Sequence, residues 1–147
     1  IAQPERYIEQ FAQAGADFIS VHVEATPHIH RALELIKLQN IKAGVVINPG
    51  TSEVVLEYLL DDIDYILIMT INPGQPGQSF IPKSLEKIRN TKQLIGDRKI
   101  DIEVDGGVNK EIAEKCVKAG AELIVVGGAL FSGDKQAQYQ LLKEAVK

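Results

Sequence analysis

The amino-acid sequence predicts an α/β fold built on a parallel sheet. Apolar, β-branched stretches alternate with stretches of helical periodicity, and the predicted strands start about 20 to 40 residues apart, the length of one strand–helix unit. No hairpin turn joins two of these strands. Continuous apolar strands separated by helices are typical of a parallel sheet that helices cover.

A short internal sequence repeat supports this prediction. Residues 14–19 read AGADFI and residues 119–124 read AGAELI, so each segment passes from a helix through Ala-Gly-Ala and an acid into an apolar strand. Repeated units of this kind are typical of a barrel or a doubly wound sheet. No low-complexity segment or linker interrupts the chain, so we predict a single domain over residues 1–147.

Each element follows from local sequence features. In the first half, prolines at first helical turns, cap residues and apolar runs mark the boundaries. They predict a helix at 4–14, a strand at 18–23, a helix at 26–38, a strand at 43–47 and a short helix from 51 or 52 to 60. The second half is predicted to contain a strand at 65–70, a helix at 82–95, a strand at 100–104, a helix at 109–119, a strand at 123–126 and a helix at 135–146.

Composition limits the possible functions. The 147 residues are 45% hydrophobic and 24% charged, as in ordinary soluble globular proteins. The net charge of -4 argues against nucleic acid or an anionic membrane as the main partner. The single cysteine, Cys116, favours a reducing cytoplasm, and no apolar run reaches membrane-spanning length. Because the sequence starts at Ile1, we expect it to begin within a longer protein.

The predicted strands end in polar and glycine-rich segments. Chemistry collects at the carboxyl ends of parallel strands in α/β folds. Lysine and arginine are scarce there, and consecutive glycines before helix starts predict an anion, with phosphate as the obvious candidate, held by backbone N–H groups. These strand ends carry His22 with Glu24, Asn48-Pro49-Gly50, Asn72-Pro73-Gly74 with Gly77, Asp105-Gly106-Gly107, and Gly127-Gly128.

The fourth strand carries two acids on one face, Glu103 and Asp105. An unpaired carboxylate on a buried strand is costly unless it serves a metal, a basic partner or proton transfer. A turn formed by Asp-Gly is the alternative for Asp105. His22 similarly suits either a satisfied core histidine or a residue that lines the site, and Met69 suits the core.

Four sequence blocks resemble those of ribulose-phosphate 3-epimerases in order and spacing. They are HVEA at 22–25, KAGVVINPGT at 42–51, MTINPG at 69–74 with GQSFI at 77–81, and EVDGGV at 103–108. The resemblance implies a (β/α)₈ barrel that interconverts D-ribulose 5-phosphate and D-xylulose 5-phosphate in the pentose phosphate pathway. Two aspartates would act as acid and base at C3. They and two histidines would hold a divalent metal, commonly zinc or iron.

The resemblance also implies roles for individual residues. Asp105 would be both a catalytic acid/base and a metal ligand, and Met69 would line the pocket beneath the sugar. A sugar phosphate would be the ligand, and a cytoplasmic homo-oligomer is expected. Contacts with the substrate, mainly with its phosphate, would come from Gly74, Gln75, Pro76, Gly77, Gly106, Gly107, Gly127 and Gly128.

The sequence departs from the family pattern at three places. The loop usually reads Phe-Gly-Gly where Gln75-Pro76-Gly77 stand, and the last strand usually ends Gly-Ser where Gly127-Gly128 stand. The segments of the first three barrel strands are absent, and with them the other catalytic aspartate and both metal-binding histidines. We therefore expect a partial barrel of about five of eight βα units. It should have open edges near residues 18 and 123 and no turnover by itself.

The sequence is compatible with three alternatives. The chain could belong to an epimerase for a related ketose phosphate such as allulose 6-phosphate, since Gln75-Pro76 and Gly128 lie on the substrate side. It could also be a non-catalytic phosphate-binding fragment. Another phosphate-binding barrel enzyme, a synthase or decarboxylase, is less compatible with the EVDGGV block.

Overall fold

The structure is a computed structural model and describes residues 1–75 and 77–146. Five parallel strands form one sheet in the order β1-β2-β3-β4-β5, so every strand lies beside its neighbours in the chain. The predicted strands are confirmed, with ends that differ by one residue at most. They are β1 (Phe18–His22), β2 (Lys42–Ile47), β3 (Tyr65–Met69), β4 (Asp101–Asp105) and β5 (Leu123–Val125).

Helices connect successive strands. The α-helices of the described residues are α1 (Ile8–Gln13), α2 (Ile29–Leu38), α3 (Ser84–Ile95), α4 (Lys110–Ala119), α5 (Gly128–Phe131) and α6 (Lys135–Ala145). The described residues also form three 3₁₀ helices, at Pro4–Arg6, Val23–Ala25 and Glu53–Leu56. Within the described ranges, no helix has the length and apolarity that a membrane span requires.

Some helix predictions were wrong in detail. The segment predicted as an α-helix from 51 or 52 to 60 is instead the 3₁₀ helix Glu53–Leu56 followed by turns, and the adjacent β-branched pair Val54-Val55 disfavours an α-helix there. The helix predicted at 26–38 begins only at Ile29, after the 3₁₀ turn. The short helix α5 was not predicted at all.

The hydrophobic core lies between one face of the sheet and the helices. Alternate strand residues such as Val45, Ile66 and Ile102 are completely buried against helix residues such as Leu33 and Ile88. Burial of each such side chain stabilises the fold by roughly 1.5–3 kcal/mol. The other alternate residues point to the opposite face, which we call the inner face.

On the inner face, several side chains shield one another from solvent. Val46 and Tyr65 are only 2% and 4% exposed, although they do not belong to the helix-packed core, so the sheet is curved. The Tyr65 ring crosses Gly44, its partner in the β2–β3 register, and a Cβ at Gly44 would lie 2.3 Å from Tyr65 Cζ. Phe18 packs edge-on against the same ring at 5.7 Å. These aromatic residues close the amino end of the inner face.

Acids before two strands tie the sheet together at its amino end. Asp64 precedes β3, and its Oδ2 accepts the Ala43 N–H of β2 at 2.8 Å. Glu122 precedes β5, and its Oε2 accepts the Ile102 N–H of β4 at 2.8 Å. The acid in the repeated Ala-Gly-Ala-acid segment at 119–122 therefore has a structural reason, since it satisfies a backbone donor of the preceding strand.

Candidate functional site

A cleft of about 510 Å³ opens at the carboxyl ends of β4 and β5. It brings together six of the residues predicted for the site from separate loops. None of the described residues that line it is a lysine or arginine. The six predicted residues are Gly77, Asp105, Gly106, Gly107, Gly127 and Gly128.

Asp105 is the only acid that lines this cleft among the described residues. It is the last residue of β4, and it lies between Met69 of β3 and Val125 of β5 in the sheet register. Partial burial raises the pKa of its carboxyl above the ordinary value, because a low-dielectric surrounding disfavours the charged form. Met69 is 6% exposed and lies beside Asp105.

Glu103 lies two residues earlier on the same face of β4, between Leu67 and Leu123 in the register. Burial raises the pKa of its carboxyl, and the negative charge of Asp105 raises it further. Within the described part of the chain its side chain has no hydrogen-bond partner. The inner face therefore carries two carboxylates whose ionisation is mutually unfavourable.

The glycine pair after Asp105 is required by close packing as well as by backbone conformation. Gly106 and Gly107 have φ of 125° and 66°. A Cβ on Gly106 would lie 2.4 Å from Ile71 Cγ1, and one on Gly107 would lie 2.4 Å from the Phe80 backbone nitrogen. Any side chain at either position would thus both strain the turn and displace the loop after β3.

Thr70 holds this turn in place, a role that we had not predicted from the sequence. Its side chain is completely buried, and its Oγ1 lies 2.6 Å from the Gly106 carbonyl oxygen, to which it donates. Its backbone N–H donates to the Asp105 carbonyl at 2.8 Å. The end of β3 therefore positions the Asp105-Gly106 segment.

The loop after β3 is organised by Gln78, which we had not predicted as a site residue. Its Nε2 donates to the carbonyls of Asn72 at 2.6 Å and Gln75 at 2.7 Å, and its Oε1 accepts the Asn72 N–H. Gln78 lines the cleft together with Gly77. Its position inside the GQSFI block was the one sequence feature that could have identified it.

The remaining predicted residues of this loop lie elsewhere. Gly74 and Gln75 are exposed and do not line the cleft. Gly74 and Gly77 adopt φ of 94° and 80°, which favour glycine. Pro76 lies outside the described residues.

Gly127 and Gly128 lie where β5 passes into the short helix α5. Gly127 is the residue before the helix, and Gly128 is its first residue. Neither position is crowded, since an added Cβ would meet no atom within 4 Å. Backbone N–H groups in a first helical turn lack intrahelical partners and can donate to an anion.

A second polar cluster lies at the carboxyl ends of β1 and β2. His22 Nδ1 lies 3.2 Å from Glu24 Oε2, and Glu24 Oε1 accepts the Asn48 N–H at 3.0 Å and the Thr51 hydroxyl. Burial works against ionisation of Glu24, but the hydrogen bonds from Thr51, Asn48 and His22 outweigh it and lower the pKa.

Lys87 of α3 holds the loop after β2, a role that sequence reasoning missed. Its Nζ donates to the carbonyls of Asn48 at 2.9 Å, Pro49 at 2.6 Å and Thr51 at 2.7 Å. Burial lowers the pKa of its ammonium, while nearby Glu53 and Glu24 act in the opposite direction. All three ammonium donors are satisfied, so this lysine serves the loop rather than the cleft.

The described residues fit a metal ion only in part. No group of three or more His, Cys, Asp or Glu side chains among them is arranged to hold an ion. Asp105 supplies one carboxylate at the cleft, whereas a bound divalent cation usually has several protein ligands.

Comparisons with known proteins place the chain in context. The model of the Ribulose-phosphate 3 epimerase family matches residues 1–131. The ribulose-phosphate 3-epimerase of Bacillus subtilis (strain 168) is 52% identical over 134 residues, covering 89% of this chain and 62% of that protein. That of Aquifex aeolicus (strain VF5) is 46% identical and covers 97% of this chain and 66% of that protein. The chain thus spans less than two thirds of the length of these curated relatives.

Solved structures agree on the fold. A crystal structure of 3-hexulose-6-phosphate synthase superposes with a TM-score of 0.76 at 20% identity, over 99% of this chain and 69% of that one. A tryptophan synthase complex from Pyrococcus furiosus superposes with a TM-score of 0.64 at 19% identity, over 97% of this chain and 58% of that one. At these identities the likeness concerns the fold alone, and it confirms the predicted α/β class of TIM-barrel type.

Proposed function

The chain belongs to the ribulose-phosphate 3-epimerase family, and we propose that it supplies one catalytic acid/base and the phosphate site for the interconversion of D-ribulose 5-phosphate and D-xylulose 5-phosphate. The observation that carries the proposal is the position of Asp105 in the same cleft as the glycine turns of three loops. A carboxyl group and a set of backbone donors thereby face one ligand.

Asp105 is proposed to move the proton at C3. This proton is acidic because it lies beside the C2 carbonyl, and a positioned carboxylate can remove it to leave an ene-diolate. Burial raises the pKa of the Asp105 carboxyl toward neutral pH. This favours proton transfer in both directions, because an acid/base group works best when its pKa lies near the working pH. The Thr70 contacts support this role by fixing the backbone at Asp105 and Gly106.

The phosphate is proposed to bind through backbone N–H groups of the predicted glycines. Gly106, Gly107, Gly127 and Gly128 line the cleft, and no lysine or arginine is among its described lining residues. Backbone donors at turns and helix starts are sufficient to hold phosphate. Met69 is proposed to lie beneath the sugar, and Gly74, Gln75 and Pro76 are proposed to contact the phosphate when the ligand is bound.

Inversion at C3 requires a second acid/base on the opposite side of the substrate. Glu103 cannot be that group, because it shares a strand face with Asp105 and approaches from the same side. A single group would return the proton to the face from which it was removed. We therefore expect the 147-residue chain by itself to show no epimerase activity.

The proposal includes a divalent metal, but it assigns only one ligand, Asp105, among the described residues. The family implies such an ion, zinc or iron, which polarises the C2 carbonyl when bound. Of the described residues, Asp105 is the proposed ligand. The remaining ligands would have to come from outside the described residues.

A hybrid protein tests the proposed function. The part of the Bacillus subtilis relative that has no counterpart in this chain is joined to residues 1–147, and xylulose 5-phosphate formation is followed in a coupled assay. We expect turnover by the hybrid, a loss of at least about a hundredfold for its Asp105→Asn variant, and none by the 147-residue chain alone. Metal-dependent turnover by the chain alone, or an active Asp105→Asn hybrid, would contradict the proposal.

The same hybrid separates the alternatives. Comparison of kcat/KM for D-ribulose 5-phosphate and allulose 6-phosphate identifies the preferred ketose phosphate. Binding of both sugars without turnover would favour a non-catalytic phosphate-binding role. Sedimentation and cell fractionation test the predictions of a homo-oligomer and of a cytoplasmic location.

A further inference from the structure

The His22–Glu24 pair lies at the edge of the inner face opposite the cleft. His22 is the last residue of β1, and Glu24 lies in the 3₁₀ helix that follows directly. His22 shares the inner face with Ser20, since Gly44 and Tyr65 lie in register with Ser20 and the Tyr65 ring covers Gly44. The imidazole therefore lies on the same face of the sheet as Asp105, at the carboxyl end of β1.

Glu24 is a fixed anion. Its Oε1 accepts the Asn48 N–H and the Thr51 hydroxyl, while its Oε2 lies 3.2 Å from His22 Nδ1. The loop that carries these donors is itself held by Lys87. Two donors therefore hold the carboxylate at Oε1 without help from the histidine, and Oε2 is left to contact the imidazole.

The position of Glu24 determines which tautomer of the His22 imidazole is favoured. A carboxylate beside Nδ1 favours the proton on that nitrogen, and in the neutral ring Nε2 is then an acceptor. Among the residues that the structure describes, none hydrogen-bonds to Nε2, and the side chain is 32% exposed. The imidazole of this partly exposed side chain thus has one nitrogen available to accept a hydrogen bond at the carboxyl end of β1.

A purely structural role explains the pair less well. Loop anchoring is already achieved by both Glu24 Oε1 contacts and by the three Lys87 hydrogen bonds. His22 adds one contact to Glu24 and none to the loop. Loop anchoring therefore does not explain why the histidine is held with Nδ1 against Glu24 and Nε2 without a partner among the described residues.

Resting on the proposed function, we propose that His22 is a further substrate-binding residue, whose Nε2 accepts a hydrogen bond from the C1 hydroxyl of the sugar phosphate, and that Glu24 is the residue that positions it. The order of groups along the substrate supports this assignment. The phosphate end lies at β4 and β5 and C3 lies at Asp105, so the C1 end extends toward β1. Neighbouring strands lie about 4.8 Å apart, which puts β1 roughly 14 Å from β4 along the sheet, and curvature shortens the direct distance.

Histidine NMR tests the positioning step without any ligand. Long-range ¹H–¹⁵N spectra of the ¹⁵N-labelled 147-residue chain report which ring nitrogen is protonated. We expect the Nδ1–H form for His22 and a loss of this preference in Glu24→Gln. His30, which lies near the carboxylates of Glu34 and Asp62 on the exposed face of α2, is the reference signal. A wild-type His22 protonated on Nε2 would overturn the inference.

Ligand titration of the same sample tests the contact. D-ribulose 5-phosphate should shift His22 Nε2 and the amides of Gly107 and Gly128, whereas inorganic phosphate should shift only the glycine amides. His22→Asn should raise the Kd for the sugar phosphate about three- to tenfold, as expected for one lost hydrogen bond. It should leave the Kd for inorganic phosphate unchanged.

The matched control is His30→Asn, which replaces an exposed histidine and should change neither Kd. If the sugar phosphate shifts the glycines but not His22, or if His22→Asn binds it as tightly as the wild type, the inference is overturned while the proposed function stands. If neither ligand shifts the glycine amides, the proposed phosphate site fails, and the His22 contact fails with it.

Discussion

At the scale of single residues, the candidate site contains two neighbouring carboxylates that repel each other when both are ionised. Asp105 and Glu103 share one strand face, and the carboxyl pKa of each is raised, in Asp105 by burial and in Glu103 by burial and the charge of Asp105. Neither residue has an ionic partner among the described residues. The cost of this arrangement falls on the stability of the folded chain at neutral pH.

Replacement of Asp105 should therefore stabilise the fold while it removes the proposed acid/base. A group whose folded pKa is raised contributes stability below its ordinary pKa, about 3.9 for Asp, and loses it as the pH rises through the folded value. Asp105→Asn should be more stable than wild type at pH 8, by less than about 1 kcal/mol because the group is partly solvated. The difference should vanish near pH 4.

Urea denaturation at both pH values measures this effect. Asp101→Asn is the matched control, because Asp101 lies on the same strand but is exposed, and it should show no comparable gain. Equal stability of Asp105→Asn and wild type at pH 8 would contradict the expectation.

Thr70 offers a second prediction at this scale. Thr70→Val keeps the shape of a completely buried side chain but leaves the Gly106 carbonyl without the hydroxyl donor that it accepts at 2.6 Å. The expected loss is about 1–3 kcal/mol of unfolding free energy, with perturbed amide shifts at Gly106 and Gly107.

Thr91→Val is a closely matched control for Thr70→Val. Thr91 is also completely buried, but its Oγ1 has no hydrogen-bond partner among the described residues. Its replacement should be neutral or stabilising, since an unpaired buried hydroxyl is removed. Similar losses for both variants in urea denaturation would show that packing, rather than the Gly106 contact, determines the cost.

At the scale of elements, the strands could be predicted and the details of the helices could not. Each strand is a short apolar run between turn residues, and this local pattern contains enough information to locate it. The segment at 53–56 satisfies the same helical periodicity as an α-helix, and its β-branched residues and tertiary position decide for the 3₁₀ form.

Two of the residues missed in the site, Thr70 and Lys87, share a different cause. Thr70 contacts Gly106, and Lys87 contacts Asn48 and Thr51, in each case across more than thirty residues of sequence. No local pattern reveals such a pairing. The glycines and Asp105 could be proposed because the turn chemistry and the family blocks are local, whereas the contacts of Thr70 and Lys87 exist only in the folded chain.

The acids before β3 and β5 give a prediction for the element scale. Asp64→Ala should leave the Ala43 N–H of β2 without its acceptor at 2.8 Å, which costs about 1–3 kcal/mol. Hydrogen exchange should accelerate at Ala43 and remain unchanged at Ile102, which Glu122 holds independently. Asp64→Asn, which retains an acceptor oxygen, should recover most of the protection.

Asp61→Ala controls for the loss of a nearby charge. Asp61 is exposed and pairs with Arg98 rather than with a strand N–H. Its removal should not change exchange at Ala43. Faster exchange at Ala43 in both variants would assign the effect to local charge instead of the backbone contact.

At the scale of the whole molecule, β1 and β5 form the two edges of the sheet, and no strand of the described residues pairs with their outer sides. An apolar groove runs beside β1 and is lined in part by Tyr7, Phe11 and Phe18, of which Phe11 and Phe18 are 56% and 52% exposed. An exposed strand edge beside apolar surface is a template for association with another chain.

The 147-residue chain should therefore self-associate in a concentration-dependent manner. Phe11→Lys places a charge in the groove without touching the sheet and should shift sedimentation velocity profiles toward the monomer. Leu38→Lys is the matched control, because Leu38 is 74% exposed at the end of α2, away from the groove, and should leave the profile unchanged. A single monomeric boundary for the wild type at every concentration would contradict the expectation. Equal dissociation by both lysine variants would place the association surface elsewhere than beside β1.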